Sequence, residues 1–334
     1  MKLQGNTPVA DRLLELAQAA LPAIVDDVTA ICQIPAPTFQ EAERARFVRE
    51  RMLWSGLTDV TMDDIGNVVG RFRGTGGGPV ILLAAHTDTV FPLETDVTVR
   101  TDGEILRAPG VGDNSASVAV MLHAARLLSQ EKPPLEGDVL FAATVGEEGL
   151  GNLRGMRRVM EDYGNEVDYV IALDGSLGSL VRQGVGSRRL RLTVRSDGGH
   201  SWGAFGAPSA IHSLGRIIGQ ISEIRVPSSP KTTFNVGLIR GGTSVNTIAA
   251  EAEAVIDLRS LDVEELKKLE ERVRRIVADV CRVTQVTADF ELLGDRPTGV
   301  ISEQHPLCQM VRRIHHQMGI QTRCYPSSTD SNVS

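Results

Sequence analysis

The chain has 334 residues, 42% of them apolar and 23% charged, a balance that excludes disordered and fibrous classes and leaves a packed protein of one large or two ordinary domains. Its net charge of -7 comes without a basic patch or a nucleic-acid-binding motif, so nucleic acid is not an expected partner. Cys32, Cys281, Cys308 and Cys324 form no CxxC pair, which argues against a disulfide framework or a thiolate metal knot and for reduced packing residues.

No apolar run reaches the roughly 20 residues needed to span a bilayer, and MKLQGNTPVADRLLELAQ is polar where a signal peptide is apolar. A cytoplasmic protein with no membrane partner is expected. Apolar spacings of three and four predict a helix from Ala10 to Ile34, interrupted at Pro22, and a second from Gln40 to Ser55. Asn67 to Arg73 reads as a strand, GTGGGP at 74–79 as a turn, and VILLAA at 80–85 as a strand buried on both faces. A helix from Ser115 to Ser129 and a strand from Asp138 to Val145 follow. Alternating helices and continuous apolar strands point to an α/β sheet covered on both sides. The glycines at 74–78 are not followed by a helix whose N–H groups could cradle a phosphate, which removes a nucleotide reading.

From about Gly184 the pattern changes. Arg188 to Arg195 alternates like a half-exposed strand, Ser209 to Ile221 is an amphipathic helix, and Thr232 to Ile239 and Glu251 to Leu258 are strands. Asp262 to Cys281 is a long charged helix and Val286 to Leu293 a last strand. The order β-α-β-β-α-β is that of a split βαβ sandwich with one open sheet face, here an inserted α+β domain at 184–295. The first domain, 1–183, resumes at 296–334 with a helix from His305 to Met318.

Four segments carry chemistry. His86 and Asp88 follow a buried strand, where side chains enter a ligand crevice; an imidazole there can hold a metal while an acidic group fixes its tautomer, although HxD alone suits a structural histidine equally. Asp113, in PGVGDNS, can ligate or cap the following helix. Glu147 and Glu148 adjoin each other at the exit of an apolar strand, where a ligand beside a general base explains two repelling carboxylates better than a solvated turn. Asp174 ends the strand YVIAL. Together these are histidine and carboxylates at strand ends, a donor set for catalytic zinc, cobalt or manganese.

HTDTVF, PGVGDNSAS, GEEGLGN, ALDGS, GGHSWGAFG and GGTSVNTIAAEAEAVIDLRS resemble, in order and spacing, the co-catalytic zinc metallopeptidases that include glutamate carboxypeptidase, peptidase T, aminoacylase, acetylornithine deacetylase and succinyl-diaminopimelate desuccinylase. The resemblance runs from about Ile34 onward. It implies a zinc-exopeptidase-like catalytic domain, with a mixed central sheet flanked by helices, and a lid or dimerisation domain through which a homodimer forms. It implies two divalent metal ions, zinc first and cobalt or manganese as alternatives. His86 and Asp174 would hold one metal, Asp113 would bridge both, Glu148 would bind the second, Asp88 would orient His86, and Glu147 would activate the bridging water. His200 would steady the oxyanion, and Asn246 and Arg259 would hold the substrate's free carboxylate. The resemblance also implies a C-terminal histidine some tens of residues past a Ser-Thr-Asp-like segment. SSTDSN at 327–332 matches that segment and the sequence stops at Ser334, so a truncated catalytic domain is expected; His305, His315 and His316 come too early and are expected at the surface.

Asp174 favours an exopeptidase acting on small peptides, since family members resembling deacylases carry Glu there. An N-acyl amino acid amidohydrolase is the alternative, and a non-catalytic binding protein that kept the fold is a third.

Overall fold

The structure is a computed structural model that describes residues 8–334; the first seven residues of the N-terminal segment read above lie outside it. The chain forms two compact units, one from the described residues up to Arg182 together with Ile301–Ser334, the other from Gln183–Val300.

The first unit opens with α1 (Pro8–Ala19) and α2 (Leu21–Cys32). The break falls at Ala20, and Pro22 sits in the first turn of α2, where its missing N–H has no intrahelical partner to lose. Helix α3 (Ala42–Trp54) follows, then β1 (Thr58–Met62), β2 (Val68–Phe72) and β3 (Ile81–His86). Next come α4 (Ala116–Glu131), β4 (Val139–Thr144), α5 (Arg154–Tyr163) and β5 (Tyr169–Ala172). The sheet order is β1-β2-β4-β3-β5, with β3 parallel to both β4 and β5 and the β1 and β2 pairings antiparallel.

Every residue of β4 is buried because each face meets its own helical layer. Val139, Phe141 and Ala143 join Ile31, Val48, Met52, Val118 and Leu122 of α2–α4. Leu140 and Ala142 join Met156 and Val159 of α5. Burial on both faces replaces alternation with a continuous apolar run, and each large side chain buried contributes about 1.5–3 kcal/mol. Because β3, β4 and β5 run in parallel, their carboxyl ends share one edge of the sheet, the edge at which ligands bind in α/β folds. The unit closes with α8 (Pro306–Gln317) and a short turn, Asp330–Val333, lying against β3, β5 and α5.

The second unit has β6 (Gly186–Arg195), α6 (Ala210–Ser222), β7 (Thr232–Gly241), β8 (Glu251–Ser260), α7 (Val263–Thr284) and β9 (Thr287–Arg296). Its sheet is antiparallel in the order β7-β8-β6-β9, matching the expected β-α-β-β-α-β type. Helix α7 begins where the Asp262 carboxylate accepts the Glu265 N–H at 2.9 Å. Its Leu266, Leu269, Val273, Val277 and Val280 recur at three and four residues and form one buried stripe. That stripe and Leu214, Ile217 and Ile221 of α6 cover Leu190, Leu192, Val194, Ile256 and Leu258 of the sheet. The opposite sheet face is charged, with Arg191 and Arg195 paired to Glu253, Glu291, Glu251 and Asp289.

Three expectations need correction. Strand β1 has no counterpart in the sequence reading: it is an edge strand whose burial never alternates and whose pairing with β2 slips between Thr58 and Thr61, so no period-two signal exists. His315 is buried rather than at the surface, because it lies seven residues from buried Cys308 on the same face of α8 and its Nδ1 meets the Thr322 hydroxyl at 3.0 Å. The four cysteines are free, but Cys324 is exposed and is not a packing residue.

Candidate active site

His86 is the last residue of β3, and its ring is 3% exposed. Its Nδ1 lies 3.1 Å from the Asp88 main-chain carbonyl and 3.6 Å from the Asp88 carboxylate, so the carbonyl takes the ring proton and the carboxylate acts through charge. That tautomer leaves Nε2 free to ligate, and Nε2 points at Asp113 Oδ1, 3.0 Å away. Asp113 therefore faces the histidine; it does not cap α4, whose N-cap is Ser115. Its side chain is 65% exposed and opens the site to solvent. The turn before it needs Gly110 at φ 74, where a Cβ would meet Thr89 Cγ2 at 2.9 Å.

Asp88 is fully buried behind this pair. Its Oδ1 accepts the Glu147 N–H at 2.9 Å, and its Oδ2 accepts the Glu148 N–H at 2.9 Å and the Thr38 hydroxyl at 2.8 Å. One carboxylate thus ties the end of β3 to the loop that leaves β4. Burial works to raise its pKa, but His86 and the two amide donors outweigh burial and hold the carboxyl below its ordinary range. For His86, burial opposes the charged form first, and Asp113, Asp88 and Glu147 reverse this and lift the imidazole well above its usual value. Asp174, unlike Asp88, is raised above its ordinary range, mainly by burial.

The Glu147 loop turns at Gly146, φ 67, where a Cβ would lie 2.6 Å from Arg154. Arg154 is held there by Glu41, 97% buried, at 2.9 Å and stacks over Phe39. The Arg44 guanidinium, also buried, donates to the carbonyls of Ile34 and Thr87 at 2.9 Å each; burial pulls it down to about 10. Asn114 donates to the Leu173 carbonyl at 2.9 Å, fixing the Asp113 turn to the segment before Asp174. Nothing local in the sequence marks Thr38 or Arg44, and Asn114 and Asp330 lie in the PGVGDNS and SSTDSN segments without a role legible there, because each is defined by a partner far along the chain.

Ligand atoms of His86, Asp113 and Asp174 lie within 4.8 Å of one another, and so do those of His86, Glu147 and Glu148. One imidazole with carboxylates on two sides suits zinc, cobalt or manganese, and the residues present fit a metal centre. The other three expected residues lie in the second unit. His200 and Asn246 come together there: His200 pairs opposite Thr247, and the Ser201 N–H donates to the Asn246 carbonyl at 3.0 Å. Both side chains are exposed. Arg259, on β8, bonds Asp257 at 2.6 Å and is not part of that pair.

Residues 67–182 match the model described as Peptidase family M28, and residues 184–285 match the Peptidase dimerisation domain. Both matched models are peptidase domains, and the chain is similar in both of its units to the co-catalytic metallopeptidases. Among similar proteins, thermostable carboxypeptidase 1 of Saccharolobus solfataricus is 24% identical over 282 residues, covering 79% of this chain and 70% of the relative. Succinyl-diaminopimelate desuccinylase of Pseudomonas syringae pv. syringae is 28% identical over 266 residues, covering 73% and 69%. The crystal structure of a Bacillus subtilis dinuclear metal-binding peptidase of the M20 family superposes with a TM-score of 0.68 at 19% identity, over 95% of this chain and 86% of that one. This last likeness shows the shared fold. The fold of this chain brings His86, Asp113, Glu147, Glu148 and Asp174 together beside the carboxyl ends of the parallel strands.

Proposed function

We propose that this chain is a metal-dependent exopeptidase that hydrolyses small peptides with a free terminus. The observation that carries the reading is the meeting of His86, Asp113 and Asp174 on one side and Glu147 and Glu148 on the other, at the carboxyl ends of parallel strands. His86, Asp113, Asp174 and Glu148 would hold two divalent ions, zinc first. Such ions acidify a water and stabilise the oxyanion of amide hydrolysis.

The protein's own groups then have distinct tasks. Glu147, 5% exposed, takes the proton of the attacking water and returns it to the leaving amine nitrogen. Its position is set by its own N–H on Asp88. Asp88 keeps His86 in one tautomer through its main-chain carbonyl and supplies negative charge behind the ring. In the second unit His200 is a candidate donor to the oxyanion, and Asn246 and Arg259 are candidates for the substrate's carboxylate, Arg259 because a guanidinium forks onto it. That unit, at about 184–295, serves as lid and as the surface of a homodimer. No described helix is long and apolar enough to cross a membrane.

A second reading is favoured by the similarity to a desuccinylase: the same groups would cleave an N-acyl amino acid. Zinc-loaded protein assayed on dipeptides, tripeptides and N-acetyl amino acids separates the two. Peptide cleavage supports the exopeptidase, and cleavage of acylated substrates alone replaces it with the deacylase.

A further inference from the structure

We infer that Asp330 is a positioning residue for this metal centre, acting through Thr144; the inference rests on the functional reading above. Asp330 is 3% exposed and lies in the turn that packs against β3 and β5. Its Oδ2 accepts the hydroxyl of Thr144, itself fully buried, at 2.5 Å across 186 residues of sequence.

Thr144 is where the two arms of the site meet. It ends β4 directly opposite His86 in the parallel register. Its carbonyl accepts both the N–H and the hydroxyl of Thr87, each at 2.8 Å, so the orientation of this one peptide sets the backbone that leaves His86. Three residues further on stands Glu147. A rotation of Thr144 therefore moves the imidazole and the base relative to each other, and its hydroxyl is anchored by Asp330. Outer groups of this kind are what hold metal ligands to a narrow geometry.

The second oxygen of Asp330 carries the inference further. Oδ1 is buried and makes no hydrogen bond, and the same holds for Oδ1 of Asn114. Asp330 and Asn114 line one crevice together with His86, Leu173 and Asp174. Leaving a buried acceptor unsatisfied is unfavourable, so such atoms in a native fold call for a role. Here the two acceptors lie beneath His86 and Asp174, and the hydrogen bond from Thr144 to Asp330 keeps the end of β4 in register with His86.

The test uses the whole chain with Asp330→Ala, Thr144→Val and the conservative Asp330→Asn, which keeps an acceptor for Thr144. Each is loaded with Co(II), and its visible absorption band is recorded at saturating metal, beside kcat and KM for the parent's preferred amide. Asp330→Ala and Thr144→Val should shift the band and lower kcat about 10–100-fold with KM within about twofold, and Asp330→Asn should recover most of both. An unchanged band at full occupancy, or a loss of kcat equal to the unfolded fraction, overturns the positioning role. If Asp330→Ala does not fold, Thr144→Val and Asp330→Asn decide on the same criteria. A parent that cleaves no amide defeats the functional reading, while the Co(II) band still tests Asp330.

Discussion

Replacing Asp88 by Asn tests the connection between the β3 and β4 strand ends. The carboxylate is fully buried and accepts two amide N–H groups and one hydroxyl, all at 2.8–2.9 Å. An asparagine offers one acceptor oxygen, so its amide nitrogen must face either the Glu147 or the Glu148 N–H, donor against donor. A buried donor left unsatisfied costs about 1–3 kcal/mol, and hydrogen bonds to a charged group contribute about 1.5–3 kcal/mol. Partial hydration on the Glu148 and Thr38 side, which is only part-buried, offsets some of this. The expected net loss is about 2–4 kcal/mol for the metal-free protein, read by urea denaturation at pH 7. Metal affinity should fall about 10–100-fold, read by competition with a chromophoric chelator. A variant within 0.5 kcal/mol of the parent, by the usual scatter of surface substitutions, and with the parent's metal affinity would refute the idea that Asp88 holds the two arms together.

Three further outcomes follow from other residues. Glu147→Gln should lower kcat by about 10²–10⁴-fold with metal content unchanged by elemental analysis; metal loss in step with activity would make it a ligand instead of a base. Burial pushes Asp330 up to about 6 from 3.8, so its proton favours folding fully below pH 3.8, and that contribution is lost as pH rises through about 6. Asp330→Asn should therefore stabilise the metal-free protein by up to about 3 kcal/mol at pH 8 and hardly at all at pH 3.5, and equal effects at both pH values in urea melts would contradict this. Arg259→Lys should raise KM about tenfold with kcat little changed, since a point charge cannot fork onto a carboxylate; an altered kcat at constant KM would place Arg259 elsewhere in the reaction.

The parts of the fold that could be read from the sequence are those where burial leaves a period. VLFAAT of β4 is apolar throughout because helices cover both faces, and the α7 stripe repeats at helical spacing. Edge strand β1, exposed on both sides, leaves no such trace. The same division applies to the site. His86, Asp113, Glu147, Glu148 and Asp174 stand out because charge follows directly after an apolar strand or a glycine turn. Thr38, Asn114 and Asp330 do not, since their partners are 50, 59 and 186 residues away and nothing local marks them as buried. His315 shows the limit of helical patterns, because one polar residue on an apolar face is indistinguishable from a surface residue until Thr322 meets it.

Titrating metal-free protein with zinc while following dipeptide hydrolysis tests the central claim most directly. A two-metal hydrolase should gain activity up to two equivalents per chain and lose it in Glu147→Gln with the zinc still bound. Hydrolysis that needs no metal, or a folded protein that binds none, would contradict it.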